Sequence, residues 1–385
     1  MDLKSLLPAD HIREWFHDLH QHPELSHQEY KTAEYIHQAL EKIGVDEIVR
    51  PTPTSLIATI QGHAPGKTVM FRADIDALPV TEETGLPFAS KNPGVMHACG
   101  HDTHTSMLLG TAEVLSQLRN EFAGTVKLLF QHAEEVFPSG AKEIVESGAL
   151  DGISAGFGMH ILIGYPAGSI GIVPKGHVSS NTDFFDIKIR GKGTHASTPH
   201  MGIDPIVIAA EIVLTLQTIV SRSIAPDETA VVTIGAIQAG TANNIIPDTA
   251  SLKGNVRTIN PETRAFIRKR VETIVRSICD AHGADLDFEY QYGIGMMVND
   301  PELSALAKNA CLKVINPEMV HDAKPMLGSE DFSYYCDEFP CCYFFFSGGG
   351  EESGCIYTTH HPKFHIVEEV LPLGTLAQVQ ILLDA

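Results

Sequence analysis

The sequence predicts an α/β protein of two domains, in which a smaller domain interrupts a discontinuous larger one. Three observations predict it. The length of 385 residues exceeds what one core usually serves. Short apolar runs alternate with helical patterns at both ends of the chain. Between them lies a self-contained strand, helix, strand, strand, helix, strand segment. Apolar residues at 43% and charged residues at 19% place the chain among ordinary globular proteins. A net charge of -21, from 48 acidic and 27 basic residues, works against binding nucleic acid or anionic lipid. No nucleic-acid or membrane partner is therefore expected.

The elements follow in order. Asp10 is placed to cap a first helix whose Ile12, Trp15, Phe16 and Leu19 keep the three-four spacing of a buried face, and Pro23 ends it. Ser26 and Glu29 read as a capping box before a second helix carrying Ala33, Ile36 and Leu40, with Gly44 as its stop. Leu56 to Ile60, Val69 to Phe71, Val126 to Phe130 and Gly156 to Met159 read as buried strands. Helices at about 103–118 and 139–146 separate some of them. Ligands in such sheets bind beyond the carboxyl ends of the strands. Asp74, Asp76, Glu134, Glu135 and His160 stand at those ends.

From Thr182 to Tyr290 the pattern is strand 184–189, helix 205–220, strand 230–237, strand 250–257, helix 261–281 and strand 284–290. That βαββαβ order is the ferredoxin-like split motif. The expected division is thus 1–181 with 291–385 for the larger domain and 182–290 for the insertion. Helix 301–314, strand 341–346 and helix 367–383 complete the larger domain. No stretch approaches the roughly 20 apolar residues of a spanning helix. The first residues lack the apolar core of a signal peptide. Seven scattered cysteines do not form a disulfide framework, so a reducing cytoplasm is the expected compartment.

Twenty histidines are many, and they cluster. The densest signal is M-H-A-C-G-H-D-T-H at 96–104, just before a helix. Cys99 and His101 supply a thiolate and an imidazole two residues apart, both zinc-type ligands, and Asp102 can orient a ring. Glu134-Glu135 follows a strand, where one carboxylate can hold an ion while the other takes a proton from water. An adjacent acid pair alone is more often a solvated loop. His160 and His360 are weak signals singly. Together these residues suffice for two ions. Cys341 and Cys342 lie in an apolar run and read as inert.

The motifs R-A-D-I-D-A-L-P, M-H-A-C-G-H-D, F-Q-x-A-E-E, G-M-H, G-K-G-T-H-A-S-T-P-H, N-N-I-I-P-D, G-S-E-D-F and H-H-P-K-F occur in this order over nearly the whole chain. They resemble the aminoacylase and carboxypeptidase superfamily of two-metal peptidases, and within it the amidohydrolase branch with the hippurate hydrolases and auxin-conjugate hydrolases. The resemblance implies a two-metal peptidase catalytic domain with an inserted lid and dimerisation domain, and a homodimer or higher homo-oligomer. It implies two divalent ions per chain, zinc, manganese or cobalt, held by Cys99, His101, Glu135, His160 and His360, with Cys99 bridging. His361 is the neighbouring alternative to His360. Glu134 would be the catalytic base and Asp76 the acid that orients the site, while Asp74 is not counted as a ligand. His195 would polarise the scissile carbonyl, supplied to the site of a second chain, with His200 a weaker candidate in the same loop. Asn244 and Arg257 would hold a substrate carboxylate. The implied activity is hydrolysis of N-acetyl, N-benzoyl or similar N-acyl amino acids. A dipeptidase or aminopeptidase, or a metal- or ligand-binding relative without catalysis, are the alternatives.

Overall fold

In the computed structural model, which describes residues 2–385, the buried runs of the sequence pair into the middle of an eight-stranded sheet. Its first strands are β1 (Glu47–Val49), β2 (Leu56–Gln61), β3 (Thr68–Asp74), β4 (Thr125–Gln131), β5 (Ala155–Ile163) and β6 (Ile170–Ile172). Cys341–Gly349 and Val320–Asp322 complete it, in the order β1, β2, β4, β3, β5, Cys341–Gly349, β6, Val320–Asp322. Strand β3 lies between β4 and β5 and runs parallel to both. The carboxyl ends of these three strands therefore share one edge of the sheet. Helices α1 (Ala9–Gln21), α2 (Tyr30–Ile43), α3 (His101–Gln117) and α4 (Gly140–Glu146) and the last helix, Leu371–Asp384, belong to the same unit. Helix α3 is buried almost all round, which explains why its sequence shows no polar stripe.

This first unit comprises Met1–Val178, Val298–Pro325 and Asp331–Ala385. The second comprises Ser179–Met297 and Met326–Glu330, wider than 182–290. The short return segment joins it because Leu327 and Gly328 carbonyls accept from Ser180 and Arg257. Its antiparallel sheet has the order Ala230–Ala239, Thr249–Thr258, Asn181–Arg190, Asp285–Tyr292. Helices Pro205–Thr218 and Pro261–His282 close its own core, built on Phe185, Ile187, Ile212, Leu252 and Val271. This is the strand order of a ferredoxin-like sheet.

Several local expectations are corrected. Pro8 caps α1, and Asp10 sits in the first turn, where its charge meets the positive end of the helix. The capping box of α2 does not form. Ser26 Oγ donates to Asp76 Oδ2 at 2.7 Å, and Glu29 accepts from the amides of His27 and Ala133, so both side chains are drawn elsewhere. Gly44 does stop α2, in the left-handed conformation at φ 80°. Helix α3 begins at His101, because Gly100 turns the chain at φ 83° just ahead of it. Strand β5 runs on to Ile163, paired in parallel with Cys341–Gly349, so His160 lies within the strand and not at its end. The last helix starts at Leu371, behind a 3-10 turn at Glu368–Val370, with Pro372 in its first turn.

One helix, Pro205–Ser223, is long and apolar enough to cross a membrane by length and composition, against the expectation of no such stretch. Its composition has another explanation within the unit. Ile208, Ala209, Ile212, Leu216 and Ile219 fill the core, while Ile206, Val207 and Leu214 lie exposed on the other side.

Candidate metal centre

The shared edge of β3, β4 and β5 collects side chains from five parts of the first unit. Asp74 ends β3 and Asp76 follows it, Glu134 and Glu135 follow β4, and His160 projects from β5. Cys99 and His101 flank the Gly100 turn at the start of α3. His360 arrives on a loop held by its own backbone N–H, which donates to Ala98 O at 2.7 Å. Ligand atoms lie within 4.8 Å of one another in three overlapping sets: Cys99 with His101 and His160, Cys99 with Glu135 and His360, and His101 with Glu134 and Glu135. Cys99 is common to the first two.

Hydrogen bonds aim these donors. His101 Nδ1 lies 3.1 Å from Asp76 Oδ1, which leaves Nε2 with the lone pair. His160 Nδ1 donates to Ile161 O at 2.6 Å, and its Nε2 stands 3.4 Å from Cys99 Sγ. Asp76 also accepts from Ser26 Oγ and, at 3.0 Å, from Glu135 N, so one buried carboxylate fixes both a ring and the acidic loop. Glu135 Oε1 lies 3.1 Å from His360 Nε2 without hydrogen-bond geometry.

These residues fit a cation. His101 Nε2 and Glu135 Oε1 are buried without a hydrogen-bond partner, an arrangement that is costly unless something else satisfies them. Burial, and then the charges of Glu135, Glu134 and Asp74, push the Cys99 thiol well above its usual range. A divalent ion removes that penalty by stabilising the thiolate. Burial opposes the charge on His101, yet Asp74 and Asp76 pull it up to about 10. The site thus holds excess negative charge facing the donors. Thiolate, imidazole and carboxylate together suit zinc and its first-row neighbours.

The family model for peptidase family M20/M25/M40 matches residues 70–384. The chain belongs to this family. An N-acyl-L-amino acid amidohydrolase of Geobacillus stearothermophilus is 47% identical over 75% of this chain and 78% of its own. Thermostable carboxypeptidase 1 of Saccharolobus solfataricus is 40% identical over 98% of this chain and 97% of its own. The crystal structure of the YXEP protein of Bacillus subtilis, described as a dinuclear metal binding peptidase from the M20 family, aligns with a TM-score of 0.84 and 36% identity over 97% of both chains. The protein is accordingly a metal-dependent amidohydrolase of the M20 family.

Around the M20 centre the structure adds residues that the sequence reading did not single out. Arg72 is fully buried in β3 and donates to Asp74 Oδ2 at 2.6 Å, Asp331 Oδ1 at 2.7 Å and Gln131 Oε1 at 2.8 Å. Gln131 Nε2 and the Ala141 amide donate to the other Asp331 oxygen. A lone arginine in the apolar run T-V-M-F-R-A-D was the available signal, since a charge in a central strand needs partners. Asp102 does orient a ring, but it is that of His20, whose Nδ1 lies 2.6 Å away. His20 Nε2 faces Glu82 at 3.2 Å. Burial opposes its charge, yet the hydrogen bonds to Asp102 and Glu82 raise it to about 9. His361 stacks on Tyr357, with centroids 4.3 Å apart, and its Nδ1 accepts from the Lys363 amide.

In the second unit His195 and Asn244 are neighbours. Thr194–His195 pairs with Ile245–Ile246, and the Ala196 amide donates to Asn244 O. His195 is exposed and its Nδ1 lies 2.8 Å from Ser197 Oγ. His200 is exposed in the turn Pro199–Met201. Arg257 lies opposite Thr182, near where the chain enters the unit, and its Nη1 donates to Thr182 Oγ1 and Leu327 O. The His195 turn lies beyond Arg190, at the other end of the same strand. Within one copy, then, roughly 25 Å of strand separates Arg257 from His195 and Asn244.

Replacing Arg72 by Met leaves Asp74 and Asp331 buried without their counter-charge. Breaking such a pair from one side costs about 3–5 kcal/mol. Urea denaturation of Arg72→Met beside wild type should show a loss of that order; a change below about 1 kcal/mol would remove the network from the account of stability.

Proposed function

We propose that this M20 amidohydrolase cleaves N-acyl amino acids, N-acetyl, N-benzoyl or similar, to a carboxylic acid and a free amino acid. The observation that carries the reading is one thiol common to two donor sets, with a second carboxylate, Glu134, beside the donor Glu135. Cys99, His101, Glu135, His160 and His360 would hold two divalent ions, zinc, manganese or cobalt, with Cys99 bridging. Bound ions supply Lewis acidity to the carbonyl and to the attacking water.

The remaining steps belong to side chains. Glu134 takes a proton from the water as its oxygen bonds to the carbonyl carbon, and returns that proton to the amine nitrogen as the C–N bond breaks. Asp76 keeps the His101 ring and the Glu135 amide in register for it. His195 donates to the oxygen on which charge develops. Arg257, whose Nη1 is engaged by Thr182 and Leu327, keeps Nε and Nη2 for the forked recognition of a carboxylate, with Asn244 and His200 as further polar contacts. Similarity to both an N-acyl-amino acid amidohydrolase and a carboxypeptidase supports a substrate with a free carboxylate beside the scissile amide. That favours N-acyl amino acids over aminopeptidase substrates, which are recognised by a free amine. With seven free cysteines, Cys99 among them, a reducing cytoplasm suits the reading.

We also propose a homodimer formed through the second unit. Among the described residues the edge strand Ala230–Ala239 has no partner on its outer side and exposes Val231 and Ile237, and the helix Pro205–Thr218 exposes Val207 and Leu214, 55% and 72%. A second copy is the fitting occupant, because a two-fold axis pairs an open edge with itself. The distance of His195 from Arg257 along the sheet supports the reading that His195 serves the partner's site.

Two experiments follow. Glu134→Gln should keep its metal content and lose several orders of magnitude in kcat, whereas Glu135→Gln should lose metal. In the same assays Arg257→Ala should impair N-acyl amino acids far more than their carboxamides. Normal turnover by Glu134→Gln, or no hydrolysis of any N-acyl amino acid by the metal-loaded wild type, would sink the proposal.

The second mixes His195→Ala with Glu134→Gln chains, each inactive alone. If His195 acts across the dimer, mixed dimers contain one doubly damaged and one intact site, and activity should reappear on subunit exchange. Continued inactivity, with mixed dimers shown to form, would assign His195 to its own chain or to no catalytic role.

A further inference from the structure

Beside the Cys99 cluster, and sharing no residue with it, a second set of donors converges in the first unit. His27, His132 and Glu143 bring one ligand atom each to within 4.8 Å of the others. They come from three places: the turn before α2, the residue after β4, and the middle of α4. Such convergence of two imidazoles and a carboxylate is the donor set of an open zinc site.

The surroundings argue for more than a chance surface group. The His132 ring is buried, its Nε2 lies 3.1 Å from Glu143 Oε2, and its Nδ1 stands at a long 3.4 Å from Thr52 Oγ1. His27 meets His132 edge to face, with centroids 5.4 Å apart. Its Nε2 lies 3.1 Å from Pro138 O, a carbonyl that can only accept, so the lone pair is on Nδ1. His27 is also held at φ 62°, a left-handed conformation that disfavours a residue with a Cβ and persists only where its surroundings enforce it. Its amide donates to Glu29 Oε1, which also takes the Ala133 amide, so the turn is tied to the loop that carries His132.

We propose that His27, His132 and Glu143 form a further metal site, one that takes a zinc-like transition-metal ion through two nitrogens and one carboxylate oxygen. Binding at His132 Nε2 puts the ring proton on Nδ1, on the side of Thr52 Oγ1, and the ion takes the place of the hydrogen between His132 and Glu143. The ion would clamp the turn before α2 and helix α4 onto the segment that runs on from His132 to Glu134 and Glu135. It is a structural ion beside the catalytic pair, with its third contact supplied from the half-exposed Glu143.

Cobalt(II) separates this site from the other, because a thiolate ligand gives a charge-transfer band that a site of two histidines and a glutamate lacks. Full-length wild type, Glu143→Gln and His27→Asn would be loaded with Co²⁺ or Zn²⁺ and desalted, and the retained ions counted per chain. Asn is chosen at 27 because it tolerates the left-handed backbone. Both variants should retain one ion fewer than wild type with an unchanged thiolate band. Cys99→Ser should lose the band but keep an ion that adding Glu143→Gln removes. Equal ion counts in wild type and both variants would overturn the site, as would an ion lost together with the thiolate band. A wild type without any thiolate band would instead count against Cys99 as a ligand, a separate failure.

Discussion

The buried guanidinium of Arg72 is the constraint on which the catalytic edge depends. It joins the ends of β3 and β4 to the loop at Asp331 by three hydrogen bonds, and two of its partners are carboxylates. An arginine cannot give up its proton, so burying it obliges the fold to keep both acids ionised and in place. Asp74 is thereby held well below the usual carboxylate range despite burial, with His101 and Arg72 as the main causes. Asp74 in turn receives His104, and His104 receives the Ile161 amide. A chain of polar contacts thus runs across the ends of β4, β3 and β5 and keeps the three in register.

Strain gathers on the same edge. Among the described residues three other than glycine have positive φ: His27, Ala133 and His360, at 62°, 48° and 69°. Ala133 immediately precedes the acid pair, and His360 faces Glu135. Backbone in this region costs on the order of 1–3 kcal/mol at each position, and it persists where packing and hydrogen bonds outweigh it. Here the bonds are identifiable: Glu29 takes the amides of His27 and Ala133, and Ala98 O takes that of His360. Glu29 is fully buried for this purpose, and burial raises its carboxyl to about 7.

Much of this was legible in the sequence, and the rest was not for a physical reason. Local patterns revealed the longer strands, most helices, the Gly44 stop and the βαββαβ order, because each rests on residues a few positions apart, whereas the three-residue strands Glu47–Val49, Ile170–Ile172 and Val320–Asp322 were too short to show a pattern. The density of ligand types at 96–104 marked the centre. What stayed hidden depends on pairing across the chain. Arg72 meets Asp331 259 residues away, and His20 meets Asp102 82 residues away. Ser26 and Glu29 carried a true helix-start signal, yet Asp76 and the amides of His27 and Ala133 claim their side chains. Tertiary demand overrode local propensity there. His160 was set at a strand end because its run looked short, and only pairing with Cys341–Gly349 shows that the strand continues.

Proximity alone does not decide which donors at this edge are open to an ion. Asp74, His101 and His104 also lie within ligand distance of one another. The hydrogen bonds tell the two groups apart. The Ile161 amide donates to His104 Nε2 at 2.8 Å, so the proton of that ring is on Nδ1, where it goes to Asp74 Oδ1 at 2.5 Å. The other Asp74 oxygen is taken by Arg72. Both nitrogens of His104 are spent, so that ring has no lone pair to give, and each oxygen of Asp74 already accepts a hydrogen bond that holds it toward His104 or Arg72. In His101 the Asp76 contact uses Nδ1 and leaves Nε2 without a hydrogen-bond partner, and in His160 the Ile161 carbonyl takes Nδ1 while Nε2 stands 3.4 Å from Cys99 Sγ. The same ledger of donors and acceptors that stabilises β3 therefore also withholds Asp74 from the metal centre, and this edge of the sheet can carry a buried ion network and an open ligand cluster side by side.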